Sequence, residues 1–239
     1  MRLDKCLVER GLVESREKAQ ELIRAGEVLV DGQVVTKPAA PVHPQSVITL
    51  LRQPKYVGRG GEKLEAALRR WNGDVQGKVC ADVGACTGGF TDCLLQHGAA
   101  KVYAMEAGHG QLHPRLRENP RVVSLENTDA RTLRALPEAV SLAVVDVSFV
   151  SLKEILPTVF RWLNEKGEVW ALLKPQFEAP HWTKKGVMRS AQARERVLQE
   201  LVQWCQQQGW RVLDAFECPL AGEEGNREYW LRLRGEKRL

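Results

Sequence analysis

From residue 78 onward the chain alternates short apolar runs with helical segments, and that alternation leaves few architectures open. Val79-Cys80-Ala81-Asp82-Val83 reads as a buried strand, and 88–97 as a helix stopped by Gly98. Further strands are expected at 101–105, 122–125, 142–146 and 169–173, with helices near 151–163 and 191–208. Runs at 211–216 and 228–233 close the series. Apolar strands separated by helices are crossovers in a parallel sheet covered on both faces. The expected fold class is therefore α/β, with a doubly wound, mostly parallel, seven-stranded sheet. Such sheets bind ligands beyond the carboxyl ends of their strands, so the residues there matter most.

The first fifty residues follow a different pattern. Leu3, Leu7 and Val8 recur at helical spacing before Gly11. Ser15 is placed to cap a second helix, whose stripe is Ala19, Leu22 and Ile23 and whose stop is Gly26. Asp31-Gly32 between two valine-rich runs predicts a hairpin. Pro38, Pro41, Pro44 and Pro54 surround one last run, Val47–Leu51. These patterns divide the chain into a small domain at 1–51, a linker at 52–58 and a larger domain at 59–239.

Composition narrows the function classes. The 239 residues are 44% hydrophobic and 27% charged, as expected of a folded globular chain. Lys plus Arg exceeds Asp plus Glu by 35 to 30, a formal +5 that permits a polyanionic partner without requiring one. No run of about 18 apolar residues is present to cross a membrane, and the charged N-terminus lacks a signal-peptide core. A cytoplasmic location is expected, with no membrane partner. The six cysteines form no CxxC pair and do not group with the five histidines at zinc spacing, so no metal is expected and free thiols are.

One acidic or glycine-rich element follows each of the first three strands of the larger domain. Asp82-Val83-Gly84-Ala85-Cys86-Thr87-Gly88-Gly89-Phe90 places glycines and a helix N-terminus where a ligand can approach the backbone. The spacing differs from the dinucleotide fingerprint G-x-G-x-x-G, and an acid inside the strand end suits a cationic amino group. Glu106 ends the second strand, where a carboxylate can accept ribose hydroxyls. Asp129 follows the third, where a side chain can meet an adenine edge. S-adenosylmethionine carries an amino acid, a ribose and an adenine, matching the three positions in order. Each element alone also reads as a tight turn or a solvated loop acid.

Four charged residues are candidates for chemistry, and each has a plainer reading. Lys174, at the mouth of an apolar strand before Pro175, is a candidate general base, or a lysine whose stem covers the sheet edge. Asp146, after Val144-Val145, is a site acid or the cap of the helix near Ser151. Lys63 is a site lysine or a solvated one on a helix with Leu64, Ala67 and Leu68 on its apolar side. Glu228 is a site acid or an exposed strand-start residue.

These residues carry a resemblance. Gly58-Arg59-Gly60-Gly61-Glu62-Lys63-Leu64, the glycine-rich turn at 84–92, Asp-Val-Ser-Phe at 146–149, Leu-Lys-Pro-Gln-Phe-Glu at 173–178 and Gly-Asn-Arg-Glu-Tyr at 225–229 occur in one order. In these motifs the chain resembles the TlyA family of ribosomal RNA 2′-O-methyltransferases, historically labelled hemolysins. The larger domain is similar to FtsJ-type ribose methyltransferases, with their Rossmann-like class I fold. The first domain resembles the S-four-like (alpha-L) RNA-binding domain through Arg2-Leu3-Asp4-Lys5, Ser15–Ala19 and Ala25–Gly32. The chain departs from the family pattern at Gly58 and Cys86, where serine is expected, at Glu106 for aspartate and at Asp129 for asparagine.

The resemblance implies a Lys-Asp-Lys-Glu tetrad of Lys63, Asp146, Lys174 and Glu228, S-adenosylmethionine as cofactor, and cytidine ribose in ribosomal RNA or ribosomal subunits as target. The implied reaction is in-line transfer of the sulfonium methyl to a 2′-hydroxyl, with Lys174 as general base. The expected cofactor contacts are Asp82, Gly84, Cys86, Thr87, Gly88, Gly89, Phe90, Glu106, Asp129 and Asp146. In residues 1–50 seven basic side chains balance seven acidic ones, so RNA binding there requires Arg2, Lys5, Arg16, Lys18 and Arg24 to gather on one face. Arg59, and Lys184, Lys185 and Arg189 in a loop after the Lys174 strand, are further RNA candidates; that loop reads either as a mobile clamp or as a solvated turn. Two other classes stay open: an RNA-binding protein with a degenerate methyltransferase body, and a membrane-active hemolysin. Oligomeric state is not legible.

Overall fold

A computed structural model describes residues 1–13, 15–51 and 55–235. It comprises two compact units, Met1–Lys55 and Tyr56–Leu239. The stretch read as a linker is partly taken up by the second unit. Tyr56 is buried in that unit's core, Val57 packs against it, and Val57 N donates to Asp92 Oδ2 at 2.9 Å. Residues 52–54 of that stretch lie outside the described residues.

In the first unit, α1 (Leu3–Glu9) and α2 (Arg16–Arg24) pack on a sheet of β1 (Val28–Val30), β2 (Gln33–Val34) and β3 (Ile48–Leu50). The strand order is β2-β1-β3, antiparallel throughout. Ser15 Oγ accepts from Lys18 N at 3.1 Å, the N-cap its side chain suggests. Asp31 (φ 50°) and Gly32 (φ 82°) both occupy the left-handed region, as a two-residue hairpin turn of this hand requires. Asp31 Oδ1 also accepts from Val47 N at 2.8 Å, fixing the return of the chain toward β3. Leu3, Leu7, Ala19, Ile23 and Val28 are fully buried between the helices and the sheet.

The second unit opens with α3 (Gly60–Arg70) and then alternates β4 (Val79–Val83), α4 (Gly89–Gln96), β5 (Lys101–Met105), α5 (Pro114–Arg117), β6 (Val122–Leu125) and β7 (Val140–Val145). It continues with α6 (Leu152–Val159), β8 (Leu163–Leu173), α7 (Pro175–Glu178), α8 (Ala191–Gln207), β9 (Trp210–Glu217) and β10 (Tyr229–Gly235). The sheet order is β6-β5-β4-β7-β8-β10-β9. The first five strands pair in parallel, and β10 runs antiparallel to both β8 and β9.

Side chains along the central strands alternate between two cores. Ala143 and Val145 face the core shared with α6 and α8, and Leu142 and Val144 the core shared with α3 and α4. A fully buried leucine such as Leu156 contributes about 1.5–3 kcal/mol to this packing. β8 begins six residues before the apolar run that announces it. Asn164, Glu165 and Lys166 in the extension are exposed, so it leaves no hydrophobic trace in the sequence. The short helices α5 and α7 were not legible either; each starts on a proline at its first position, Pro114 and Pro175.

The strand order reverses at β4, whose neighbours are β5 and β7. A crevice therefore opens at the carboxyl ends of these strands. All six cysteines are free, and only Cys86 is exposed. Among the described residues no helix is long and apolar enough to cross a membrane, and no group of three metal-ligating side chains is found.

Candidate active site

Lys174 leaves the end of β8 and caps α7, where Pro175 turns the chain away from the sheet. Its Nζ lies 2.6 Å from Asp146 Oδ1, donates to Ser148 Oγ at 3.0 Å, and sits 5.9 Å from the centre of the Phe177 ring. Asp146 follows β7, and its backbone N donates to Val83 O at 2.9 Å. It does not cap α6; Ser151 does, accepting from Lys153 N. Gly84 allows the two strand ends to close up, since a Cβ there would stand 2.4 Å from Asp146 O.

Lys63 lies in the first turns of α3, and its Nζ donates to Glu228 Oε2 at 2.6 Å. Neither side chain is the solvated residue of the plainer reading, for they are 11% and 2% exposed. Gly222 makes room for this pair: a Cβ there would meet Glu228 Oε1 at 2.0 Å. Burial is the largest influence on the Lys63 ammonium and opposes its charge, yet the Asp146 and Glu228 carboxylates together hold its pKa above the ordinary lysine value. Burial pushes the Glu228 carboxyl up, against the pull of Lys63. Asp146 thus contacts Lys174 and acts electrostatically on Lys63 and Glu228. Two ammonium and two carboxylate groups converge at one end of the sheet.

Beside them lies the glycine-rich turn. Asp82 is fully buried; its Oδ2 accepts from Thr91 Oγ1 at 2.7 Å and its Oδ1 has no hydrogen-bond partner. Burial pushes its pKa up to about 7. Cys86 is held at φ 49°, and Gly88, at φ 96°, leads into α4, which Gly89 opens. Glu106 Oε2 accepts from Cys86 N at 2.9 Å and its Oε1 from Gly108 N at 2.8 Å, which leaves each oxygen a further lone pair. Thr87 fills the space that a side chain at position 58 would need, since a Cβ on Gly58 would lie 2.6 Å from Thr87 Oγ1.

Two expected cofactor contacts also have protein partners of their own. Phe90 is buried in the core, stacked on Trp230 at 5.5 Å between ring centres. Asp129 binds Arg131 through both oxygens, at 3.0 Å to Nε and 2.7 Å to Nη2, and Arg131 in turn reaches Glu154. The remaining set fits S-adenosylmethionine: an orphaned carboxylate oxygen inside the turn, open backbone at the glycines, and an acid at the end of β5.

Most of the RNA candidates are engaged by neighbouring groups. Arg2 and Arg16 share Asp4, Arg24 donates to Gln20, and Lys18 is paired with Glu21. Lys5 is exposed, and Arg59 donates to Ala221 O at 3.3 Å. The segment with Lys184, Lys185 and Arg189 is tethered. A tight turn joins Lys184 to Val187, and Asn226 accepts from Met188 N and donates to Gly186 O, both at 3.1 Å.

Sequence reasoning passed over Ser148 and Phe149, although both lie in the motif that carries Asp146. Phe149 is 87% exposed, adopts φ 64°, and leans on Phe177 at 4.8 Å between ring centres. A bulky side chain in the left-handed region is a strained conformation. The detectable signal was an aromatic three residues beyond a strand-end acid.

The FtsJ-like methyltransferase family matches residues 56–235, and the S4 domain matches residues 1–48. Hemolysin A of Brachyspira hyodysenteriae is 43% identical over 96% of this chain and 98% of its own. The 16S/23S rRNA (cytidine-2′-O)-methyltransferase TlyA of Mycobacterium tuberculosis is 41% identical over 100% of this chain and 92% of its own. A solved structure from Streptococcus thermophilus, described as a hemolysin, superposes with a TM-score of 0.80 at 36% identity, covering 99% of this chain and 89% of that one. With an S4 domain ahead of a unit whose lysines and acids converge at the sheet's carboxyl end, the chain belongs to the FtsJ-like methyltransferase family and to the TlyA group within it.

Proposed function

We propose that the chain methylates the 2′-hydroxyl of a cytidine ribose in ribosomal RNA, within the cytoplasm, using S-adenosylmethionine. The observation that carries this reading is the position of Asp146, in contact with Lys174 and within electrostatic reach of the buried Lys63–Glu228 pair. The Mycobacterium tuberculosis relative, described as acting on cytidine 2′-oxygens of 16S and 23S rRNA, supports the choice of substrate.

The cofactor supplies an electrophilic methyl group. Asp82, the backbone of the 84–89 turn and Glu106 would hold its amino-acid and ribose parts. A ribose hydroxyl is a poor nucleophile until its proton can leave. Ser148 Oγ already sits 3.0 Å from Lys174 Nζ, so a hydroxyl fits at that distance from the amine. Lys174 in its neutral form accepts the proton as the oxygen attacks. Asp146, 2.6 Å from Nζ, orients the Lys174 amine. Glu228 keeps Lys63 in place. The exposed Phe149 ring offers a face on which the target base can stack.

Lys174→Ala tests this directly. Calorimetry is expected to show S-adenosylmethionine bound as in the wild type, with methyl transfer to rRNA reduced at least a hundredfold. Near-normal turnover removes Lys174 from the role. Undetectable cofactor binding by the wild-type chain supports the degenerate, RNA-binding alternative instead.

A further inference from the structure

The segments that follow β7 and β8 are cross-linked in order. Lys174 Nζ donates to Ser148 Oγ at 3.0 Å, and the Phe149 ring leans on Phe177 at 4.8 Å between centres. Ser151 Oγ donates to Glu178 Oε2 at 2.5 Å, and Leu152 N donates to Glu178 Oε1 at 2.7 Å. Residues 148, 149 and 151 thus meet 174, 177 and 178 in register. The two later contacts hold the segments together, so the bond between Ser148 and Lys174 is built into the pair.

Two oxygens approach the Lys174 amine, and they act differently. Asp146 Oδ1 lies at 2.6 Å, yet it has no hydrogen-bond partner among the described residues. That contact is an attraction between charges, without the alignment that points a particular N–H. Ser148 Oγ is the one hydrogen-bond acceptor of Lys174 Nζ among the described residues. The serine side chain is exposed, so water can satisfy its hydroxyl and the fold does not need this bond.

We propose that Ser148 is a positioning residue for Lys174: by accepting one N–H it fixes the rotation of the amine and aims its lone pair at the ribose 2′-hydroxyl. The proposal rests on the methylation reading above and adds a residue to it. A neutral lysine amine has two N–H groups and one lone pair in tetrahedral directions, and it turns about the Cε–Nζ bond unless a partner holds it. Ser148 takes one N–H. The Asp146 carboxylate attracts the second and repels the lone pair. One direction is left for the lone pair, and a proton is taken only along it. Asp146 brings the amine to its place, and Ser148 completes its orientation.

Ser148→Ala and Ser148→Thr in the full chain test this, with methyl transfer to transcribed rRNA as the assay. Ser148→Ala is expected to lower kcat by about tenfold. Its KM for RNA, its affinity for S-adenosylmethionine by calorimetry and its unfolding temperature should match the wild type. Ser148→Thr keeps the hydroxyl and should restore kcat to within about threefold, a rescue that a role in shape alone would not give. A serine that blocked the amine would act with the opposite sign, and its removal would speed the reaction. Wild-type or faster kcat in Ser148→Ala, or an equal loss in both variants, overturns the positioning role and leaves the methylation reading standing. A wild-type chain that binds S-adenosylmethionine but transfers no methyl to rRNA overturns that reading, and the role of Ser148 with it.

Discussion

Lys63 and Glu228, separated by 165 residues in the chain, meet at 2.6 Å with almost no exposure to solvent. A buried charge left alone is expensive, so the pair binds α3 to the start of β10 as well as serving the site. Lys63→Met alone is expected to destabilise the protein by about 3–5 kcal/mol in urea unfolding. Lys63→Met with Glu228→Leu should recover most of that loss. Methyl transfer should stay abolished in both, which separates the stabilising role of the pair from its chemical one.

Asp82 predicts a pH dependence of unfavourable sign. Its folded pKa, near 7, stands above the ordinary aspartate value of 3.8, so between those values the folded state binds more protons than the unfolded state. Stability contributed at this position is present at low pH and is lost as pH rises through about 4 to about 7. Asp82→Asn should flatten that slope, leaving the variant relatively more stable at pH 8 than at pH 4. Thermal unfolding across this range measures the difference.

Phe149 combines exposure with a strained backbone. Phe149→Gly relieves the strain and is expected to leave stability unchanged or raise it by about 1 kcal/mol. Cofactor affinity should not change. Loss of a stacking face worth about 1–3 kcal/mol should raise KM for RNA by about five- to 150-fold.

Glu106 and Asp129 should separate in cofactor titrations. Glu106 gathers two backbone amides beside the turn, so Glu106→Ala is expected to weaken S-adenosylmethionine binding by at least tenfold, about 1.4 kcal/mol. Asp129 is engaged by Arg131, and Asp129→Asn should change the affinity less than threefold.

The strand series, the Ser15 cap and the Asp31-Gly32 turn were legible in the sequence because each expresses a local energy: apolar periodicity, an unsatisfied helix end, a left-handed turn. The motif order at 58–64, 84–92, 146–149, 173–178 and 225–229 was equally local, and it picked out all four convergent side chains. The buried state of Phe90 and the tethering of the 184–189 segment by Asn226 were not legible, since each depends on a partner supplied by another element. Asp4 gave no sign of being a hub, because its donors come from two helices that meet only on folding.

Residue pattern alone thus determined which segments become strands and helices and which residues are chemically able to act. Tertiary structure decided which of them meet. Inserting β10 between β8 and β9 brings Glu228 to the same end of the sheet as Lys174 and Asp146. No local preference encodes that order, because it arises from burying two apolar faces of one sheet at once, and charges distant in sequence are paired only where that packing sets them side by side.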